Sequence, residues 1–145
     1  MKFSLALPRE ELSVPVIRRV LGDALRGLGV SRDCIHEILV AASEACTNVV
    51  RHSTTLQYEV VGCIDDETCV LRVTDHGTGL RAPAVRPVEE LAESGRGLEI
   101  MGALVDDFIL TTTPEGVSVE LRKRLTWNDE ALLRRLESEL VLGAG

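Results

Sequence analysis

The sequence has few aromatic residues. Phe, Trp and Tyr together make up 3% of its 145 residues, so any core must be built mainly from Leu, Val, Ile and Ala. Hydrophobic residues reach 45%, which is ample for a folded chain. At this length we expect a single domain with a substantial core.

Long apolar runs are also missing. No stretch reaches the roughly 20 residues that a membrane-spanning helix needs, and the N-terminal residues Met1-Lys2-Phe3-Ser4 lack the apolar segment of a signal peptide. These absences predict a cytoplasmic protein. The formal net charge of -7 argues against a broad nucleic-acid surface, which would be basic.

The four cysteines form no C-x-x-C pair and have no paired histidines nearby, which disfavours a zinc site. Cys63 and Cys69 flank an acidic turn and could approach each other across a hairpin. Because cytoplasmic thiols are normally reduced, we expect free cysteines that act as small packing residues.

Periodicity and turn residues predict nine elements. They are a strand at 2–7, a helix at 14–28, a helix from 31 to about 51, strands at 57–64 and 68–74, a helix from 97 to about 105, strands at 108–113 and 117–125, and a helix at 128–140. Residues 76–94 contain four Gly or Pro and predict a loop that could cover a site as a lid. Strands that come as hairpins, with helices grouped between them, predict an α+β fold. We expect a two-layer α/β sandwich whose mixed, mostly antiparallel sheet is covered on one face by helices.

A polar stripe runs along the second predicted helix. Glu37, Glu44, Asn48 and Arg51 share one face because they are separated by 7, 4 and 3 residues. Such a stripe is most often a solvated surface. Small neighbours and an Asn inside a helix, where Asn is a poor former, instead favour a ligand site. An Asn carbonyl suits Mg²⁺, and a Glu one turn away suits a general base for a hydroxyl.

A second motif follows the strand at 68–74. Asp75 stands at its end, followed by Gly77 and Gly79. A carboxylate there can accept a hydrogen bond from the exocyclic amino group of adenine, whereas the oxygen of guanine would be repelled. The glycines let the backbone pass close to a flat base. The alternative is an ordinary Asp-x-Gly turn.

A third motif, Gly95-Arg96-Gly97-Leu98, opens the next predicted helix. The free N–H groups and positive end of a helix suit phosphates, and Arg96 adds charge. The alternative is a plain junction between a loop and a helix. Each motif alone is weak support for a nucleotide site, but all three occur in order within 55 residues.

Together these segments resemble the N, G1 and G2 boxes of the GHKL ATPases, the Bergerat-fold superfamily of gyrase-type ATPases and histidine kinases. The resemblance covers roughly residues 8–125. The pattern Ser-Glu-Ala-x-Thr-Asn-x-x-x-His, from Ser43 to His52, is most similar to the stand-alone anti-sigma factor serine kinases. It implies an ATP-binding kinase domain at 1–125, with 126–145 as a helical extension of the same domain.

The resemblance also implies roles for individual residues. Glu44 would be the catalytic general base, and Asn48 would coordinate Mg²⁺ beside bound ATP. Asp75 would read adenine. The remaining residues expected to bind the nucleotide are Arg51, Gly77, Gly79, Gly95, Arg96, Gly97 and Leu98.

Relatives of this type bind a sigma factor and phosphorylate a serine on a STAS-domain anti-anti-sigma protein, usually as homodimers. We expect the same partners here, with no nucleic acid and no membrane. The alternative is a non-catalytic ATP-binding regulator that switches protein partners. The sequence departs from many relatives in having Gly116-Val117 followed by Ser118, where they have Gly-Thr. In the final helix, Leu132, Leu133, Leu136 and Leu140 share a face. We expect it to pack on the body of the domain; the alternatives are that it forms a dimer or holds a partner.

Overall fold

The structure, a computed structural model, describes residues 1–75, 95–113 and 116–144. Each element predicted in these ranges is present, with bounds shifted by a few residues. In chain order they are β1 (Lys2–Pro8), α1 (Ser13–Leu28), α2 (Arg32–His52), β2 (Gln57–Ile64), β3 (Thr68–Thr74), α3 (Gly95–Leu104), β4 (Asp107–Thr113), β5 (Gly116–Arg124) and α4 (Asp129–Ala144).

The five strands form one open sheet in the order β1-β2-β3-β5-β4. All four pairings between these strands are antiparallel, including the predicted hairpins β2–β3 and β4–β5. In the register of the central strands, Val60 lies opposite Val73 and Leu71 lies opposite Leu121. The α+β sandwich predicted from the sequence is therefore confirmed, although the sheet of the described strands is antiparallel throughout and not mixed.

The core lies between one face of the sheet and the helices. Residues alternate along a strand, so Cys69, Leu71 and Val73 of β3 all point to this face and are buried. Helix α2 packs on β3 and β5, while α1 and α3 pack on α2. Tyr58 is the only aromatic residue among the largest fully buried side chains, as the aromatic-poor composition leads one to expect.

A sharp turn separates the first two helices. Gly29 ends α1 with a left-handed φ of 90°, and a Cβ there would stand 2.7 Å from the Cβ of Ala131. Both the backbone conformation and the close contact therefore require glycine. The Ser31 hydroxyl then accepts a hydrogen bond from the Cys34 N–H and begins α2. Both boundaries match the sequence prediction.

The packing predicted for α4 is wrong. Its leucine face points away from the body, and all four of its members are exposed: Leu132, Leu133, Leu136 and Leu140. The helix is attached by the opposite face, through buried Ala131 and through Arg135, which lies 3.9 Å from the ring centroid of Trp127. These attachments lie close to the start of α4, and they turn the leucines toward solvent.

The predicted lid at 76–94, with Gly77 and Gly79, lies outside the described residues. Among the helices that the structure describes, none combines the length and the apolar character needed to cross a bilayer.

Candidate functional site

Helix α2 carries Asn48 into the protein interior. The side chain is only 6% exposed, although Asn is usually found at protein surfaces. Asn48 follows buried Ala45 and Cys46 and precedes buried Val49, so the polar group interrupts an otherwise apolar face. Near this end of the helix, the Arg9 guanidinium donates hydrogen bonds to the carbonyls of Val50 and Thr55.

The side-chain amide of Asn48 is unpaired within the part of the chain that the structure describes. Neither its amide nitrogen nor its amide oxygen is bonded to any residue in the described part of the chain, and both atoms are buried. A buried unsatisfied polar group costs about 1–3 kcal/mol. An amide held in this way suits a ligand, and its oxygen is of the type that Mg²⁺ accepts.

Glu44 lies one helical turn before Asn48 and is half-buried. The neighbouring Ser43 hydroxyl turns back to the Leu39 carbonyl, at 2.7 Å, and accepts a hydrogen bond from Arg18 at 3.0 Å. Glu44 itself makes no ion pair with the described residues. Its side chain is therefore partly exposed and is not held by a cation in this part of the chain.

Asp75 is a buried carboxylate at the end of β3. It is 1% exposed, and its N–H donates to the Val117 carbonyl at 3.0 Å. Strand alternation places it on the same face of the sheet as buried Val73. Asp75 therefore faces the helical layer, on the side where α2 packs.

The topology brings Asn48 and Asp75 to the same end of the molecule. The Cys34 thiol near the start of α2 lies 3.7 Å from the Arg124 carbonyl, and Arg124 pairs with Thr68 at the start of β3. From Cys34 to Asn48 the helix advances roughly 21 Å. From Thr68 to Asp75 the strand advances roughly 23 Å. Asn48 and Asp75 therefore lie at about the same distance from the end of the molecule that holds Cys34 and Thr68.

Helix α3 begins at this end as well. Its last residue, Leu104, accepts a hydrogen bond from Lys123, which also pairs with Glu37 in the first half of α2. Because α3 packs along α2 and is ten residues long, it covers a length of α2 equal to about ten residues. The start of α3 therefore lies near the level of Asn48.

The first turn of α3 supplies backbone donors. The helix begins at Gly95, two residues earlier than predicted, so Gly95, Arg96 and Gly97 all lie in its first turn. N–H groups in a first turn have no acceptor within the helix, and they favour anions. Leu98, which we predicted to contact the nucleotide, is partly buried and packs against the core. Arg51, in the last turn of α2, is exposed.

The sequence Gly116-Val117-Ser118, where many relatives have Gly-Thr, changes the surroundings of Asp75. Val117 bonds to Asp75 through the backbone and is 2% exposed, on the helix-facing side of β5. The Ser118 hydroxyl lies 3.3 Å from the Thr74 hydroxyl, and alternation puts both on the other face of the sheet. The Ser118 hydroxyl therefore cannot take the place of a Thr hydroxyl at position 117. The side chain at that position is the apolar Val117.

Lys123 is not among the residues predicted from the sequence. Its ammonium lies 2.5 Å from the Glu37 carboxylate and 2.8 Å from the Leu104 carbonyl. Burial lowers the pKa of Lys123, but the hydrogen bond and charge of Glu37 outweigh it and hold the pKa above its usual value. The alternation of β5 contained the signal, because Lys123 continues the buried series Val117, Val119 and Leu121.

Glu37 therefore differs from the other members of the polar stripe. We grouped it with Glu44 and Asn48, but the structure pairs it with Lys123. This ion pair joins α2, β5 and the end of α3. The ion pair therefore links the two helices on which the predicted site residues lie.

A buried polar cluster supports the middle of α2. The Tyr58 hydroxyl is hydrogen-bonded to Ser13 and interacts with the Cys46 thiol. Burial raises the pKa of Cys46 to about 12, and burial together with the nearby Cys46 raises the pKa of Tyr58 to about 12. Both groups remain protonated at neutral pH, so the cluster is a neutral support two residues from Asn48.

Comparison with known proteins gives a consistent family match. The model of the histidine kinase-like ATPase domain matches residues 7–123. Among curated proteins, the chain is 28% identical to the serine-protein kinase RsbW of Bacillus cereus (strain Q1) over 135 residues, which cover 84% of each chain. The serine-protein kinase RsbW of Bacillus mycoides is 27% identical, with the same coverage.

A solved structure has the same fold. A crystal structure of the RsbU and RsbW domains of a Mycobacterium tuberculosis protein matches with a TM-score of 0.68 and 21% identity. The match covers 86% of this chain and 32% of that longer chain. At this identity the likeness concerns the fold.

Proposed function

The chain belongs to the family of histidine kinase-like ATPase domains, and from that membership we propose that it is an ATP-dependent protein-serine kinase and anti-sigma factor. The observation that carries the proposal is Asn48, a buried amide without a hydrogen-bond partner among the described residues. A protein that bound no ligand there would gain stability from an apolar residue. The relatives named serine-protein kinase support the same activity.

The site fits MgATP. Asn48 would hold Mg²⁺ through its amide oxygen. The Asp75 carboxylate would accept a hydrogen bond from the adenine amino group. The backbone at Gly95, Arg96 and Gly97 would face the phosphates. When bound, Mg²⁺ would neutralise part of the negative charge of the phosphates, which the acidic protein would otherwise repel. Phosphoryl transfer depends mainly on such positioning and charge neutralisation. Arg51, Gly77, Gly79 and Leu98 complete the proposed set of nucleotide-binding residues.

Glu44 supplies the remaining chemical group. Its carboxylate is half-buried, one turn from Asn48, and it would accept the proton of a serine hydroxyl as that oxygen attacks the terminal phosphate. Nucleotide binding alone needs no base at this position. Glu44 is therefore the residue that distinguishes a kinase from a regulator that only binds ATP.

The proposed substrate is a serine of a STAS-domain anti-anti-sigma protein, and the proposed binding partner is a sigma factor. We propose a kinase domain at 1–125, which agrees with the family match at 7–123, and a helical extension at 126–145. A cytoplasmic location and a homodimer complete the proposal.

The direct test is to incubate the protein with labelled ATP, Mg²⁺ and candidate STAS-domain proteins encoded near its gene. Mass spectrometry should locate one phosphoserine on the STAS protein, and omission of Mg²⁺ should abolish it. A sigma factor should co-elute with the kinase on gel filtration and be released by the unphosphorylated STAS protein. ATP binding without transfer to any of these proteins would instead favour the non-catalytic regulator.

A further inference from the structure

Helix α4 carries an exposed leucine stripe, formed by Leu132, Leu133, Leu136 and Leu140. Their exposed fractions range from 43% to 71%. At about 100° per residue, the four side chains fall within an arc of about 100°. Continuous apolar surface of this kind typically marks an interaction site, whereas isolated exposed leucines do not.

The attachment of α4 leaves the stripe accessible. Asn128 caps the helix, with its side-chain oxygen accepting from the Ala131 N–H at 2.8 Å, and its own N–H bonds to the Gly29 carbonyl. Arg135 contacts Asp66 at 3.3 Å and covers Trp127. All these contacts lie on the side of α4 opposite the leucine stripe.

Acidic residues border the stripe along both edges. On the helical wheel, Glu130 and Glu137 lie beside one edge and Glu139 lies beside the other. The two arginines of the helix stand farther back: Arg134 is 3.9 Å from Glu130, and Arg135 is turned toward the body. The surface therefore presents leucines with Glu137, unpaired among the described residues, beside one edge and Glu139 beside the other.

We propose that the leucine stripe is a docking surface for a basic amphipathic helix of a partner protein. Apolar side chains of that helix would cover the leucines, and flanking Lys or Arg residues would meet Glu137 and Glu139. A second copy of α4 fits less well, because it would bring acidic edges together. An anionic membrane would be repelled for the same reason.

The surface is separate from the proposed kinase site. Asp66 precedes β3 and contacts α4 through Arg135, whereas Asp75 follows β3. The two sites therefore lie at opposite ends of that strand, roughly 20 Å or more apart. Loss of docking should leave nucleotide binding unchanged, so either proposal can fail without the other.

The test uses the full chain and a fluorescein-labelled peptide of 14 residues with leucine and lysine at helical spacing. Binding measured by fluorescence anisotropy should weaken about tenfold or more in the double variant Leu136→Ser, Leu140→Ser. The matched control is Leu56→Ser, which replaces an exposed leucine just before β2 and should bind the peptide like wild type. The variant Leu132→Ser, Leu133→Ser should repeat the loss.

Charge is tested separately. The variant Glu137→Gln, Glu139→Gln should weaken peptide binding severalfold at low salt and reduce its salt dependence. The control Glu10→Gln, Glu11→Gln removes equal charge from exposed positions elsewhere and should have little effect. Thermal melts should be unchanged in all variants, because the replaced side chains are exposed.

Three results would overturn the proposal. The first is equal binding of the peptide by wild type and by both leucine variants. The second is equally tight binding of an acidic peptide with the same leucine spacing. The third is an oligomer of the wild type, seen by sedimentation, that Leu136→Ser, Leu140→Ser converts to a smaller species, since the stripe would then be covered by a second copy.

Discussion

The Lys123 ammonium lies 2.5 Å from the Glu37 carboxylate and donates a second hydrogen bond to the Leu104 carbonyl at 2.8 Å. These contacts join α2, which carries Glu44 and Asn48, to the C-terminal end of α3. A lysine at a helix C-terminus also interacts favourably with the helix dipole. Lys123 therefore links the two helices in addition to their direct packing.

Replacing that side chain should affect both stability and nucleotide binding. Lys123→Met keeps most of the length but leaves Glu37 and the Leu104 carbonyl without their cation, so we expect the free energy of unfolding to fall by about 1–3 kcal/mol. ATP affinity, measured by calorimetry, should fall because the start of α3 is less well placed. Arg122→Met, at an exposed position on the same strand, is the control. Equal ATP affinity in Lys123→Met and wild type would show that the ion pair does not position the site.

Asn48 should show a trade-off between stability and function. Asn48→Leu replaces a buried amide that has no partner among the described residues, so the nucleotide-free protein should gain about 1–3 kcal/mol of stability. The same variant should lose Mg²⁺-dependent ATP binding. Thermal melts with and without MgATP measure both effects. A variant that is destabilised, yet still melts higher with MgATP, would contradict the assignment.

Asp75 should determine the preference for adenine. MgATP and MgADP should raise the melting temperature of the wild type, because they bind only the native state, whereas GTP should have little effect. Asp75→Asn should bind ATP much more weakly, since an amide can direct a donor toward the adenine amino group. Asp107→Asn, an exposed position in β4, provides the control. Wild-type ATP affinity in Asp75→Asn would exclude Asp75 as the residue that reads adenine.

The thiols should differ in reactivity. All four cysteines are free, and Cys63 is the only one that is not buried. In the register, Cys63 pairs with Val70 and Cys69 pairs with Ile64, so the two side chains point to opposite faces of the hairpin. A thiol reagent at pH 8 should therefore modify Cys63 rapidly in the native protein and all four thiols after denaturation. Rapid loss of two thiols together, with a Cys63–Cys69 disulfide in the product, would contradict this geometry.

Burial of the other thiols has a consequence at alkaline pH. Burial raises the pKa of Cys46 and of Cys69 from 9.0 to about 12. At a pH between these two pKa values, the thiols of the unfolded chain lose protons that the thiols of the folded protein retain. The free energy of unfolding should therefore fall as the pH rises. Melting temperatures measured from pH 8 to pH 11 should decrease, and Cys46→Ala should reduce the slope. A flat profile in the wild type would mean that these thiols ionise as readily in the folded protein.

Much of the fold followed from local patterns. The strands alternate cleanly, Gly29 and Ser31 mark helix ends through backbone geometry and capping, and short turns fix the hairpins. These features depend on residues that are close in sequence. The sequence also pointed to Asn48, because Asn is a poor helix former and has small neighbours there, and to Asp75, because it stands at the end of a strand before two glycines.

Other features depended on contacts between distant segments. Lys123 and Glu37 are separated by 86 positions, and only the packing of α2 on β5 shows that they meet. The leucine face of α4 was misjudged for a similar reason. Its pattern indicates an apolar face, but the orientation of the helix is set by Ala131 and by the contact of Arg135 with Trp127. The face of the sheet on which the Ser118 hydroxyl lies follows only from the strand register.

Phosphate transfer to a serine, with Glu44 as the base, should separate wild type from Glu44→Ala in a single turnover. Wild type and Glu44→Ala should be mixed with saturating MgATP and the STAS-domain substrate, and the first turnover should be followed by the appearance of phosphoserine. We expect Glu44→Ala to bind ATP with unchanged affinity and to transfer phosphate more slowly by roughly a factor of 10² or more. Transfer at the wild-type rate in Glu44→Ala would exclude Glu44 as the base.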